Sequence, residues 1–173
     1  MIAGQPTDTV VPDAVLALAH GRTVRAVWRN ALGGLTFEIG QAAERVFVKW
    51  APTDSGLNLG SEIARLQWAM AYTCVPRVLG NGGDDMGTWF TSEPLAGENA
   101  LSARWRGDPA VVVRAIGEGL RALHDALPVD LCPFSWSLEE RVADVERRAY
   151  ANALAPERWH ADHRHLSIAQ ALE

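Results

Sequence analysis

Lysine is almost absent from this chain of 173 residues. Of its 16 basic side chains, Lys49 is the one lysine and the rest are arginine. Lysine is normally among the commonest residues, and arginine replaces it poorly where a compact point charge is needed. Lys49 therefore marks a position that needs a reason. Cysteine is scarce as well. Cys74 and Cys132 form no C-x-x-C pair, which argues against a disulfide framework and a thiolate zinc site. No apolar run approaches the roughly 18 residues of a membrane span, and Met1–Val11 has neither the basic nor the apolar region of a signal peptide. The expectation is a cytoplasmic protein with no membrane partner. Excess positive charge is missing too. A net charge of −5 and a pI of about 5.5 argue against general nucleic-acid binding. That charge suits a cationic partner, but it is more often an ordinary solubility charge.

The length fits one domain or two small lobes with room for a core. Residues 13–20 read as a short apolar helix stopped near Gly21, and Thr23–Trp28 reads as a strand. Asn30–Thr36, with Gly33 and Gly34 adjacent, is a tight turn. Phe37–Ile39 and Arg45–Trp50 are further strands, the latter rich in β-branched and aromatic residues. Leu59, Ile63, Leu66 and Met70 recur at helical spacing. Val75–Leu79 and Thr88–Thr91 form a strand pair around a Gly-rich loop, Gly80–Asp85. The second part is helical. Asp108-Pro109 is an N-cap with proline at the first position, and Val113, Ile116, Leu120, Leu123 and Leu127 follow as one stripe. Ser137-Leu-Glu-Glu140 reads as a capping box, and the segment 163–173 begins another helix.

Phosphoryl transfer needs backbone that can approach phosphates, a cation to pair with them, an acid to aim that cation, metal ligands, and a group to position the nucleophile. Three of these have candidates in the right order. Gly33 and Gly34 stand between two strands, where backbone N–H groups can face a phosphate, although such a pair is also a plain hairpin. Lys49 shares a strand face with Phe47. Its bland reading is an edge-strand residue that blocks aggregation. Glu62 borders the apolar stripe of the next helix, where a glutamate usually reaches to solvent. A Lys49–Glu62 pair explains both placements at once.

Gly33-Gly-Leu-Thr36, Val46-Phe-Val-Lys49, Glu62, Val75-Pro-Arg-Val78 and Thr91-Ser-Glu-Pro-Leu-Ala-Gly97 occur in the order seen in protein-kinase-like folds. With Leu120-Arg-Ala-Leu-His-Asp-Ala-Leu-Pro-Val-Asp-Leu-Cys-Pro-Phe134, the chain resembles the aminoglycoside phosphotransferase family, in particular the 3′-phosphotransferases. The resemblance implies an α+β, protein-kinase-like fold. Residues 1–97 would be an antiparallel N-lobe with one inserted helix, and residues 98–173 the first helices of an incomplete, mainly helical C-lobe.

The resemblance also implies an activity that moves the γ-phosphate of ATP (or GTP), with Mg²⁺, to a hydroxyl of a cationic aminoglycoside antibiotic. Gly33, Gly34, Leu35 and Thr36 would then position the nucleotide, Lys49 would contact its α/β-phosphates, and Glu62 would hold Lys49. Ser92, Glu93, Pro94 and Leu95 would be the hinge beside the adenine. Proline has no N–H, so a backbone donor to the base must come from a neighbour such as Leu95. Glu157 and Asp162, in the polar stretch 152–165, would fall near the antibiotic.

The family's H-G-D-x-x-x-x-N loop, whose Asp positions the substrate hydroxyl and whose Asn holds Mg²⁺, has no match in the chain. Neither does its downstream metal-binding Asp. His20-Gly21 is followed by Arg22, and His124-Asp125 belongs to the helical motif. The expectation is a chain truncated before its catalytic loop, with no catalytic residue or metal ligand of its own and inactive alone. A missing C-lobe segment or a second copy would be its partner. The alternatives are another small-molecule kinase of this fold, acting on a sugar, choline or homoserine, and a non-catalytic nucleotide-binding or partner-docking module. His160, His163 and His165 match no standard zinc spacing. The seven Trp read as core or lobe-interface residues.

Overall fold

The computed structural model describes Pro6 and residues 8–100, 102–105, 107–154 and 156–172. The first residues, read above for a leader, and Glu173 of the closing segment lie outside them. The elements are α1 (Asp13–Ala19), β1 (Val24–Arg29), β2 (Leu35–Ile39), β3 (Val46–Pro52), α2 (Leu59–Ala69), β4 (Val78–Gly83), β5 (Gly87–Ser92), α3 (Pro109–Ala126), α4 (Leu138–Tyr150) and α5 (Ile168–Leu172). Two compact units result, Met1–Pro128 and Val129–Glu173.

The strands form one antiparallel sheet in the order β1-β2-β3-β5-β4, with α2 inserted between β3 and β4. Alternation decides the two faces. Leu35, Phe37 and Ile39 of β2 and Val48 and Trp50 of β3 point to one side, where Val15 and Ala19 of α1 complete a core. Ala51 and Phe90 point to the other, where Leu59 of α2 seals a second core with help from Ile63 and Leu66. Phe37, Ile39, Val15 and Val48 are fully buried, and burying such side chains stabilises by about 1.5–3 kcal/mol each. A sheet covered on both sides by helices leaves little freedom in the position of its middle strand, β3.

Three boundaries differ from expectation: β4 begins at Val78, leaving Val75–Arg77 outside the strand expected to start at Val75. Leu35 and Thr36 belong to β2 rather than to the turn before it. Residues 80–83, expected in a loop, continue β4 and pair with β5 through Gly83↔Thr88. The reason is local. β4 is an edge strand, where glycine is tolerated, and a Cβ on Gly82 would lie 2.6 Å from the Trp89 ring. Glycine lets the ring lie against the strand. The actual turn is shorter, with the Asp84 carboxylate accepting from the N–H groups of Met86 (2.9 Å) and Gly87 (3.0 Å).

Asp108 caps α3 by accepting from Val111 N–H at 3.2 Å, with Pro109 at the first position. The N-terminal part of its apolar stripe is exposed, Val113 by 69% and Ile116 and Leu120 by 50%, while Leu123 and Leu127 are half-buried. In the second unit Ser137 caps α4 by accepting from Glu140 N–H. The capping box is only half formed, because the Ser137 N–H donates to Ser135 Oγ. Trp136, expected in a core or lobe interface, is 77% exposed. No helix among the described residues is long and apolar enough to cross a membrane.

Candidate functional site

Lys49 lies on β3, which is flanked by β2 and β5. The edge-strand reading of this lysine is therefore wrong: β3 has ladders on both sides, with Thr36 and Phe90 opposite Lys49. Glu62 arrives from the first turn of α2, whose N-terminus is set by Asn58 accepting from Ser61 N–H at 2.9 Å. A carboxylate in the first turn also suits the helix dipole. Lys49 Nζ donates to Glu62 Oε1 at 2.8 Å and Oε2 at 2.6 Å. The side chains are 30% and 39% exposed, so the ammonium is held yet open to a ligand.

Phe47 shares Lys49's face two residues along β3, about 6.6 Å away at the strand rise. Its row is Glu38–Phe47–Ser92 across β2, β3 and β5. This row floors a cavity of about 810 Å³, walled by Val27 and Trp28 of β1, by Pro76, and by Glu93, Leu95 and Ala96. The volume lies within the usual range of small-molecule sites, ~300–1,000 Å³. Glu38 binds Arg25 at 3.1 Å and approaches Arg45 at 3.7 Å, and the Arg45 guanidinium lies 5.4 Å from the centre of the Phe47 ring. Sequence reading missed this charged wall. Its signal is the polar half of the alternation in β2, Thr36 and Glu38, which the buried Leu35, Phe37 and Ile39 mirror on the other face.

Three of the four hinge residues proposed from sequence line this cavity: Ser92, Glu93 and Leu95. Glu93 N–H donates to Arg77 O at 2.9 Å, and Pro94 has no N–H. Leu95 N–H has no protein acceptor among the described residues. The Glu93 carboxylate also binds the Arg77 guanidinium. That bond holds its carboxyl below the usual carboxylate range and raises Arg77 above its ordinary value.

The glycine turn is arranged differently from expectation. Asn30 Oδ1 accepts from Gly34 N–H at 2.8 Å and Leu32 N–H at 3.0 Å, and Asn30 O accepts from Gly33 N–H at 3.2 Å. These N–H groups close the turn on itself rather than facing outward. Gly33 has φ +90°, which favours glycine, and a Cβ on Gly34 would press on the Leu57 and Asn30 side chains. Leu35 is buried in the α1-side core, while Thr36 shares Lys49's face.

Glu157 and Asp162 belong to the second unit, in one-turn 3₁₀ segments, Pro156–Arg158 and Ala161–His163. Both are exposed. Asp162 lies 3.4 Å from His160 Nδ1, and the His160 and His163 rings are 6.4 Å apart. No three His, Cys, Asp or Glu side chains gather as a metal site among the described residues.

No protein-family model matches the chain. Among curated proteins it is 37% identical over 98 residues to an aminoglycoside 3′-phosphotransferase of Streptomyces fradiae, covering 56% of this chain and 36% of that protein. It is 41% identical over 90 residues to an aminoglycoside 3′-phosphotransferase of Streptomyces ribosidificus, covering 51% and 34%. The chain thus spans about a third of the length of these curated relatives. Among solved structures, a type VIII aminoglycoside-3′-phosphotransferase superposes with a TM-score of 0.71 at 32% identity, over 92% of this chain and 60% of that one. Aminoglycoside phosphotransferase APH(3″)-Id of Streptomyces rimosus gives 0.62 at 23% identity, over 92% and 57%, a likeness of fold alone. The chain is a relative of the aminoglycoside 3′-phosphotransferases and carries the kinase-like fold of the aminoglycoside phosphotransferases.

Proposed function

We propose that these residues form the nucleotide-binding part of an aminoglycoside O-phosphotransferase, and that the 173-residue polypeptide binds ATP without transferring its phosphate. The observation that carries this reading is the Lys49–Glu62 pair between β3 and α2, with Phe47, on the same face of β3 as Lys49, lining a cavity together with Ser92, Glu93 and Leu95. A partly exposed ammonium oriented by a carboxylate suits the α/β-phosphates, as phosphoryl transfer requires. The Phe47 ring offers a face for a purine, and Leu95 N–H offers it a donor. The N–H groups of Gly33 and Gly34 must leave Asn30 if they are to meet a phosphate.

In this reading residues 1–97 work as the N-lobe and residues 98–173 begin the C-lobe. The aminoglycoside, the cytoplasmic setting and a role for Glu157 and Asp162 toward the cationic antibiotic belong to the same proposal. The chain contains no H-G-D-x-x-x-x-N segment. Positioning and metal electrostatics supply nearly all catalysis in phosphoryl transfer, so the residues present account for nucleotide binding and not for turnover. The test is calorimetry with ATP on the wild type and on Lys49→Ala, alongside an assay for phosphorylated aminoglycoside. Saturable binding that Lys49→Ala abolishes, with no product, supports the reading, and the absence of ATP binding refutes it.

A further inference from the structure

We infer that Arg77 is a positioning residue for the nucleotide base, acting through Glu93 to hold residues 93–95 against the cavity. This rests on the nucleotide reading above.

The β4–β5 ladder ends irregularly. Val78 pairs with Ser92, and a bulge follows between Val78 and Gly80. Past Ser92 the chain must run on into Leu95 without a regular strand, and Pro94 brings no N–H to help. Arg77 carries the pairing one residue further in two ways. Its carbonyl oxygen accepts the Glu93 N–H at 2.9 Å, and its guanidinium binds the Glu93 carboxylate. Pro76, its neighbour, lines the same cavity as Ser92, Glu93 and Leu95. The clamp therefore joins two walls of the site.

The side chains of Arg77 and Glu93 are 57% and 43% exposed, and exposed ion pairs add little to global stability. What this one fixes is local. The Arg77 carbonyl holds the Glu93 N–H, so of residues 93–95 only Leu95 keeps an N–H for a ligand, and the ion pair restrains the rotation of the peptide units that carry that group. Arg77 acts on the base side only, since β5 lies between β4 and the strand that holds Lys49.

The experiment measures affinities for adenosine, ATP and inorganic tripolyphosphate by calorimetry or competition. It uses the wild type, Arg77→Ala, the charge-swapped double variant Arg77→Glu/Glu93→Arg, and Lys49→Ala as the reference for the phosphate side. Arg77→Ala is expected to weaken adenosine and ATP by the same factor, about three-fold. It should leave tripolyphosphate unchanged, and the double variant should recover most of the loss. Lys49→Ala should do the reverse, weakening ATP and tripolyphosphate while sparing adenosine. Wild-type adenosine affinity in Arg77→Ala overturns the inference, and so does an equal loss of tripolyphosphate, which would mean general damage. Hydrogen exchange at the Glu93 amide separates the two layers of the argument. Faster exchange in Arg77→Ala is expected, and unchanged exchange removes the clamp. If that amide loosens but the wild type binds neither adenosine nor ATP, the nucleotide reading fails and Arg77's role in base positioning falls with it.

Discussion

Lys49 and Glu62 meet as a two-oxygen ion pair, Nζ lying 2.8 and 2.6 Å from the two carboxylate oxygens. The pair joins β3 to the first turn of α2. Because it is partly exposed, it contributes only about 0–1 kcal/mol to stability. Its consequence is the direction of the ammonium. Glu62→Gln keeps the shape and removes the charge, so melting should shift by no more than about 4 °C while ATP binding weakens by about ten-fold, the scale of one lost charge-assisted bond. Thermal unfolding and calorimetry on the same sample check both halves.

Asn30 closes the glycine turn through its side-chain oxygen, which accepts from Leu32 and Gly34 N–H. Asn30→Ala removes that acceptor. Amide exchange at Leu32 and Gly34 should quicken, with a stability loss of about 1 kcal/mol, and residues of α1 should keep their protection.

Two glycines should answer the same substitution with opposite signs. A Cβ on Gly87 would lie 2.4 Å from Ala51 O and 2.8 Å from Trp50 Cε2, and neither atom can move without disturbing β3. Gly87→Ala should destabilise by about 1–3 kcal/mol. A Cβ on Gly117, within α3, meets nothing within 4 Å, so Gly117→Ala should stabilise that helix by about 0.5–1 kcal/mol. Paired thermal or urea unfolding decides both.

The lowered Glu93 pKa gives the clamp a pH signature. A depressed carboxyl contributes fully above its unfolded value, and its contribution is lost as pH falls through the lowered folded value. Arg77, whose hydrogen bond is the main cause, stays charged throughout. The Glu93 carboxyl should therefore titrate below ordinary glutamates by NMR, and Arg77→Ala should return it to the ordinary range. An unshifted wild-type titration would contradict this.

The sheet and the ion pair were legible because their residues are out of place by ordinary rules. A single lysine in a Val/Phe strand and a glutamate beside an apolar stripe point to each other. The cap of α3 was legible because Asp-Pro is a local signal, complete within a few residues. Gly80–Gly83 was not, since glycine reads as a turn until the edge position of β4 and the Trp89 ring against Gly82 are known. Arg77–Glu93 spans 16 residues and depends on a register that no periodicity specifies. The inward turn of the Leu32 and Gly34 amides depends on one rotamer of Asn30. Leu35 looked like part of the loop until its alternation with Phe37 and Ile39 set it in the core.

On the function proposed above, Lys49 and the cavity lined by Phe47 bind a nucleotide, and these residues do not carry the chemistry of transfer. Titrating ATP into the purified 173-residue protein, with an aminoglycoside such as kanamycin present and product followed by mass spectrometry, tests both parts in one sample. One saturable site, lost in Lys49→Ala, and no phosphorylated antibiotic are expected. Phosphorylated antibiotic from this polypeptide alone, or ATP affinity that survives Lys49→Ala, would contradict it.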